Sequence, residues 1–171
     1  MIDKEHLIVA EIPRLRRYAR ALTGDAAAAD DLVQDCLERA WSRTRLWRRG
    51  SDMRAWLFTI MHNIHANTLR KASRRPVDLA LTEDIAGTGD PRQQGAMETF
   101  GLARALARLP EDQRAAVLLV GLEDMSYAEA AKILGVPVGT VRSRLARGRE
   151  RLRRLTGGDE NDEKKVVTRI K

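Results

Sequence analysis

The sequence predicts an all-α protein made of two small helical domains joined by a flexible linker. Apolar residues recur three and four positions apart in several stretches, which is the spacing of one face of an α-helix. We find no convincing run of the alternating β-branched residues that are typical of strands. Charged residues make up 32 % of the chain and aromatic residues only 4 %, a composition that favours helices.

The first predicted domain covers residues 1–76 and contains three helices. An apolar stripe runs through residues 5–22. Asp25 is expected to cap the second helix, and the break at Gly50, Ser51 and Asp52 offers a cap for the third. Pro76 ends the third helix because proline cannot continue a helical ladder. The inward positions predicted for the second and third helices are Leu32, Val33, Cys36, Leu37, Ala40, Trp41, Trp56, Leu57, Ile60, Met61, Ile64 and Leu69.

Helical periodicity fails at residues 77–95, where glycine, proline, threonine and acidic residues accumulate. This composition predicts a linker. A second helical domain is predicted at residues 96–156, with Pro110 at the start of one of its helices. Residues 157–171 are polar and mixed in charge, which predicts a disordered tail.

A helix-turn-helix is predicted near the end of the second domain. Ser126 and Glu129 have the spacing of a capping box, and Gly135 can adopt the positive φ of a helix exit. In the helix that follows, an outward face is predicted at Thr140, Ser143 and Arg147, with further arginines on its flanks. The inward stripe is Val138, Val141, Leu145, Gly148, Leu152 and Leu155.

A capped helix, a glycine turn and a basic second helix are typical of DNA-binding domains. The alternative is a solvated, arginine-rich helix at the end of an ordinary bundle. The formal charge of +7 favours a polyanionic partner, either nucleic acid or an anionic membrane surface. We expect no membrane insertion, because the apolar run at residues 115–120 is far shorter than the roughly 20 residues that span a bilayer.

The localisation indicated by the sequence is the cytoplasm. The first residues are polar and do not resemble a signal peptide. A single cysteine, Cys36, excludes an internal disulfide and fits a reducing compartment. Cys36 lies on the predicted buried stripe and is expected to be a core residue.

The helix-turn-helix resembles region four of the extracytoplasmic-function (ECF) sigma factors. The resemblance is carried by MSYAEAA at residues 125–131 and VGTVRSRL at 138–145, followed by Arg147. The first domain resembles region two of the same family independently. There, DDLVQDCLERAW at residues 30–41 is similar to the polymerase-binding helix, and RAWLFTIMHN at 54–63 is similar to the promoter-melting segment.

This resemblance implies a sigma factor that binds core RNA polymerase through its β′ clamp helices and β flap, and that recognises promoter DNA. It implies polymerase contacts at Asp31, Gln34, Asp35 and Arg39. It implies contacts with the −10 element at Asn63, Asn67, Arg70 and Lys71. It implies contacts with the −35 element at Thr140, Arg142, Ser143, Arg144 and Arg147.

The resemblance also implies control by an anti-sigma factor. Residues 109–121 are similar to the general-stress-response subgroup, whose anti-sigma factor is a small helical protein; a zinc-binding anti-sigma domain is the alternative. A DNA-binding regulator that acts without polymerase is the other function left open.

We expect no enzymatic activity, no cofactor and no metal. The sequence contains no recognisable nucleophile–base pair and no phosphate-binding loop. His62 and His65 have the i, i+3 spacing of a possible metal pair, but no third ligand is evident.

Overall fold

The computed structural model describes residues 4–48, 50–74 and 94–157, and every regular element in these ranges is helical. The predicted all-α fold is confirmed. The predicted linker lies outside the described residues except for its last two, and the predicted tail except for Gly157. The elements are α1 (Lys4–Thr23), α2 (Ala26–Arg43), a 3-10 turn (Thr44–Leu46), α3 (Met53–Arg74), α4 (Gln94–Ala107), α5 (Glu111–Val117), a π-helical turn (Leu118–Leu122), α6 (Tyr127–Leu134) and α7 (Val138–Thr156).

Helices α1, α2 and α3 pack against one another and form the first domain. The two predicted caps are present: Asp25 accepts a hydrogen bond from the backbone N–H of Ala28 at 2.8 Å, and Asp52 accepts one from that of Arg54 at 2.9 Å. Cys36 is buried as predicted, and its thiol donates to the carbonyl of Leu57 at 3.5 Å. Burial raises the pKa of this thiol to about 12, which makes it an unreactive core residue.

Two residues predicted to face inward in the first domain do not. Trp41 is 40 % exposed and Leu69 is 39 % exposed. The buried residues of α2 end at Ala40 and those of α3 end at Ile64. Both helices therefore continue beyond the core that their neighbours cover, and an apolar residue in that extension lies at the surface.

The second domain is built on α7, which packs against α4, α5 and α6. Gly148 allows α5 to approach α7 closely, since a Cβ atom there would lie 2.7 Å from Cγ2 of Val117 and 3.3 Å from the carbonyl oxygen of Gln113. The predicted stripe on α7 is buried in its central part, but Val138 and Leu155 at the two ends of the helix are exposed.

The two domains pack against each other, which the sequence did not indicate. Helix α3 contacts α6, and α1 contacts both α4 and the π-helical turn. Buried side chains of both domains form one continuous apolar core. The π-helical turn was also not predicted; in it, the backbone N–H of Glu123 donates to the carbonyl of Leu118 at 3.0 Å.

Candidate nucleic-acid interface

The predicted helix-turn-helix is formed by α6 and α7. The backbone N–H of Ser126 donates to Glu129 Oε2 at 2.7 Å, and the backbone N–H of Glu129 donates to Ser126 Oγ at 3.2 Å, so the predicted capping box is confirmed. Hydrogen bonding from the Ser126 side chain, and then from its backbone, lowers the pKa of the Glu129 carboxyl. Gly135 ends α6 with φ 65°, and Pro137 precedes α7.

Helix α7 carries arginines on its exposed side. Val141, Leu145, Gly148 and Leu152 are buried, and the position of this stripe leaves Arg142 and Arg147 exposed. The guanidinium of Arg142 lies 5.7 Å from the centre of the Tyr127 ring, a cation–π contact between the two helices of the motif. This contact restricts the side chain before any ligand binds.

The other three residues predicted to contact the −35 element are half-buried. Ser143 Oγ donates to the backbone carbonyl of Thr140 at 3.0 Å. Arg144 Nε lies 3.3 Å from the carboxylate of Asp112, and its charge is one of those that lower the pKa of His62 on α3, after burial and His65. Arg144 therefore lies on the side of α7 that faces the first domain.

A basic groove runs between α2 and α3 in the first domain. It brings together residues predicted for two different roles, Asp35 and Arg39 for polymerase contact and Asn67 for contact with the −10 element. The groove is lined by Asp35, Arg39, Ile64, Asn67, Thr68, Arg70, Lys71 and Arg74. Four cationic side chains against one carboxylate make it a favourable place for a nucleic-acid backbone.

The remaining predicted residues of the first domain do not line this groove. Asn63 is exposed on α3. Asp31 and Gln34 are exposed on α2, and Gln34 Nε2 donates to Glu38 Oε1 at 3.1 Å. Gln34 belongs to a second groove between α1 and α2, where Trp41 is exposed next to Arg16 and Arg20.

A buried carboxylate that the sequence did not indicate lies between the two domains. The side chain of Glu123 is fully buried, and its Oε1 accepts hydrogen bonds from Arg17 Nη2 at 2.9 Å and Arg17 Nε at 3.2 Å. Its Oε2 accepts one from Arg54 Nη2 at 3.2 Å, and the same arginine donates to the backbone carbonyl of Glu123. Glu123 follows a buried apolar run, and nothing in its sequence context distinguishes it from a solvated acid at a helix end.

A second polar contact between the domains involves Glu111 on α5. His65 Nε2 lies 2.5 Å from Glu111 Oε1, and Arg114 Nη1 lies 3.1 Å from Glu111 Oε2. The same Arg114 nitrogen donates to the carbonyl of Leu22 at the end of α1, at 2.8 Å. Burial, and then the charges of Glu111 and Glu123, raises the pKa of Tyr18.

Within the described residues, no group of three histidine, cysteine or acidic side chains is placed to hold a metal ion. His65 contacts the carboxylate of Glu111, but His62, His65 and Glu111 are not arranged as a metal site. No helix in the same part of the chain is both long and apolar enough to cross a membrane.

Two family descriptions match the chain, one for each domain. The family "Sigma2 domain of PhyR" matches residues 8–62, and the family "Sigma-70, region 4" matches residues 100–152. The first match ends within α3, and the second contains all of α6 and α7 as far as Leu152.

Curated relatives resemble the chain over most of its length. The ECF RNA polymerase sigma factor EcfG of Rhodopseudomonas palustris is 40 % identical over 148 residues, which are 86 % of this chain and 82 % of the relative. The ECF RNA polymerase sigma factor SigM of Mycobacterium tuberculosis is 39 % identical over 84 % of this chain and 72 % of its own length.

Solved structures agree with these relatives. The sigma factor RpoE of Bartonella quintana, solved in complex with the anti-sigma factor NepR, is 33 % identical, with a TM-score of 0.73 over 91 % of this chain and 98 % of that one. CnrH, solved in complex with the cytosolic domain of CnrY, is 26 % identical, with a TM-score of 0.67 over 92 % of this chain and 89 % of that one. Because the agreement extends over both domains in the same order, the chain belongs to the extracytoplasmic-function family of RNA polymerase sigma factors.

Proposed function

We propose that this chain binds core RNA polymerase in the cytoplasm and directs it to promoters by reading a −35 element with α7 and a −10 element with α3. The observation that carries the proposal is the pairing of two basic surfaces, one in each family-matched domain. One surface is the outward face of α7, with Arg142 and Arg147; the other is the groove between α2 and α3.

The chemistry of the two surfaces fits the two halves of a promoter. An exposed arginine on a recognition helix can bind guanine through two hydrogen bonds in the major groove. An asparagine such as Asn67 presents both a donor and an acceptor to a base edge. In the structure its Oδ1 accepts a hydrogen bond from Arg70 Nη2 at 2.8 Å, which leaves the second lone pair of this oxygen and the amide N–H groups for a base.

The proposal includes an anti-sigma factor as partner. Its support is that the relative from Bartonella quintana was solved with the anti-sigma factor NepR, and that a complex of PhyRSL with NepR from Sphingomonas sp. Fr1 has a TM-score of 0.66 to this chain. A NepR-like protein is therefore the first partner to test, ahead of a zinc-binding anti-sigma domain.

Transcription in vitro from a pool of promoter fragments tests the function directly. Polymerase with this chain is expected to start transcription from fragments that share two sequence elements, whereas polymerase alone is not. If the free chain retains the same fragments tightly without polymerase, it is a polymerase-independent regulator and the proposal is wrong.

Reversing the charge of Asp35 is expected to weaken association with core polymerase. Asp35→Lys replaces a negative charge by a positive one on the predicted docking face. If Asp35 faces a positive charge of the polymerase, the substitution brings two like charges together, and we expect a loss of about 1 kcal/mol or more of binding free energy. The measurement is binding of fluorescently labelled chain to core polymerase in the absence of DNA. Glu150→Lys is the control, since it makes the same charge change at an exposed site on α7. Equal affinity of a folded Asp35→Lys variant and the control would exclude this docking surface.

Removing either asparagine of α3 is expected to slow strand opening. Asn63→Ala and Asn67→Ala each remove hydrogen bonds to a base, worth about 0.5–1.5 kcal/mol, while closed-complex binding stays nearly unchanged. Permanganate footprinting of the −10 region follows the opening. Ser73→Ala, at an exposed position of the same helix, is the control and should open the strands at the normal rate. Normal opening in both asparagine variants would remove these residues from the −10 contact.

A further inference from the structure

The interface between the two domains contains an unusual ion cluster formed by Glu123, Arg17 and Arg54. Among the residues that the structure describes, Glu123 is the one charged or polar residue that is buried, at 2 % exposure. Its two partners come from different helices of the other domain, α1 and α3. The side chains of Arg17 and Arg54 remain 31 % and 24 % exposed. The three-residue cluster therefore exists only when the domains are together.

Burying a carboxylate costs much free energy unless it is paired and hydrogen-bonded. We call the arrangement in which the two domains pack against each other the closed form. In it, arginines of the first domain donate hydrogen bonds to both carboxylate oxygens and to the backbone carbonyl of Glu123. When the domains separate, water solvates all three side chains. The closed state therefore depends on the charge of Glu123 more strongly than either domain does by itself.

The closed form is too small to bind a whole promoter. A compact chain of 171 residues has a radius of gyration of roughly 16 Å. Two DNA elements separated by about two helical turns are roughly 70 Å apart. With α3 packed against α6, the recognition helix and the groove between α2 and α3 are held too close together to contact both elements at once.

We propose that Glu123, Arg17 and Arg54 form a latch that holds the chain closed and has to open before polymerase and promoter are bound. This inference rests on the proposed function, because the need to open follows from binding a two-part promoter. The contact of His65 with Glu111 and that of Arg114 with the carbonyl of Leu22 support the same closed arrangement.

The experiment measures the distance between the domains in the full chain. Spin labels are attached to cysteines placed at Ala28 and Ala146, which are exposed on α2 and α7, in a Cys36→Ala background. The unmodified latch is expected to give a narrow distribution of short distances. Glu123→Gln is expected to add a broad population at longer distances and to raise the open-to-closed ratio about tenfold or more.

Glu150→Gln is the matched control, because Glu150 is also paired with arginine, Arg153 at 2.6 Å, but within α7. Its distance distribution should equal that of the parent chain. The rate of association with core polymerase should rise for Glu123→Gln, by about the same factor as the open-to-closed ratio, and should be unchanged for Glu150→Gln. Arg17→Gln and Arg54→Gln should act in the same direction, and they replace Glu123→Gln if that variant loses its helical circular dichroism.

Distances that are the same in all the variants would overturn the latch. Opening without faster association would overturn its regulatory role. If the variants open but neither they nor the parent chain bind polymerase, the proposed function fails, and the need for opening fails with it, although the ion cluster still controls the closed form.

Discussion

Replacing Phe58 by alanine is expected to lower the free energy of unfolding by about 3–5 kcal/mol. Phe58 on α3 is fully buried, and its ring packs edge-on against Tyr18 of α1 with 5.0 Å between the ring centres. The guanidinium of Arg54 lies 6.0 Å from the same ring. The substitution removes these contacts and leaves a cavity at the junction of two helices that cannot close without moving one of them.

Denaturant unfolding followed by circular dichroism measures this loss. Leu46→Ala is the control, because Leu46 is 76 % exposed and its replacement should change stability by no more than about 0.5 kcal/mol. Phe58 belongs to the segment whose sequence resembles the promoter-melting region. A Phe58→Ala variant as stable as the parent chain would contradict this prediction, and a defect in strand opening in that variant would show that the ring acts on DNA although it is buried in this structure.

Local structure was predicted best where one side chain satisfies one backbone group nearby. The capping box of Ser126 and Glu129, the cap of Asp25 and the positive φ of Gly135 involve residues no more than a few positions apart. Such interactions depend on sequence spacing alone, so the spacing was sufficient to predict them.

Periodicity predicted which face of a helix is apolar but not where the neighbouring helix stops covering it. Trp41 and Leu69 have the right spacing for the core, yet they are exposed. The same holds for Val138 and Leu155 at the ends of α7. Burial at these positions depends on the length and crossing of a second helix, which the periodicity of a single helix does not contain.

The packing of the two domains was beyond sequence reasoning for a different reason. Arg17 and Glu123 are 106 positions apart, and each lies in a stretch where a charge is ordinary. The π-helical turn before Glu123 looks, in sequence, like the continuation of α5. Only the folded chain shows that this turn presents an acid to two arginines of the other domain.

Replacing Arg142 or Arg147 by alanine is expected to have the largest effect on promoter selection. Both side chains are exposed on α7, and the buried residues Val141 and Leu145 fix the side of the helix that faces outward. The loss of an arginine–guanine contact with two hydrogen bonds should cost about 1–3 kcal/mol and relax the preference at one base position.

Arg151 provides the comparison that separates base reading from attraction to the DNA backbone. It is exposed about one turn beyond Arg147, in the half of α7 farther from the N-terminal residues that reach bases in helix-turn-helix proteins. Arg151→Ala should therefore weaken binding to all promoters by a similar factor and reduce the salt dependence of binding. Each variant is measured as holoenzyme against promoters changed one base pair at a time. A uniform loss over all promoters with Arg142→Ala and Arg147→Ala, like that of Arg151→Ala, would show that these arginines hold the phosphate backbone and do not read bases.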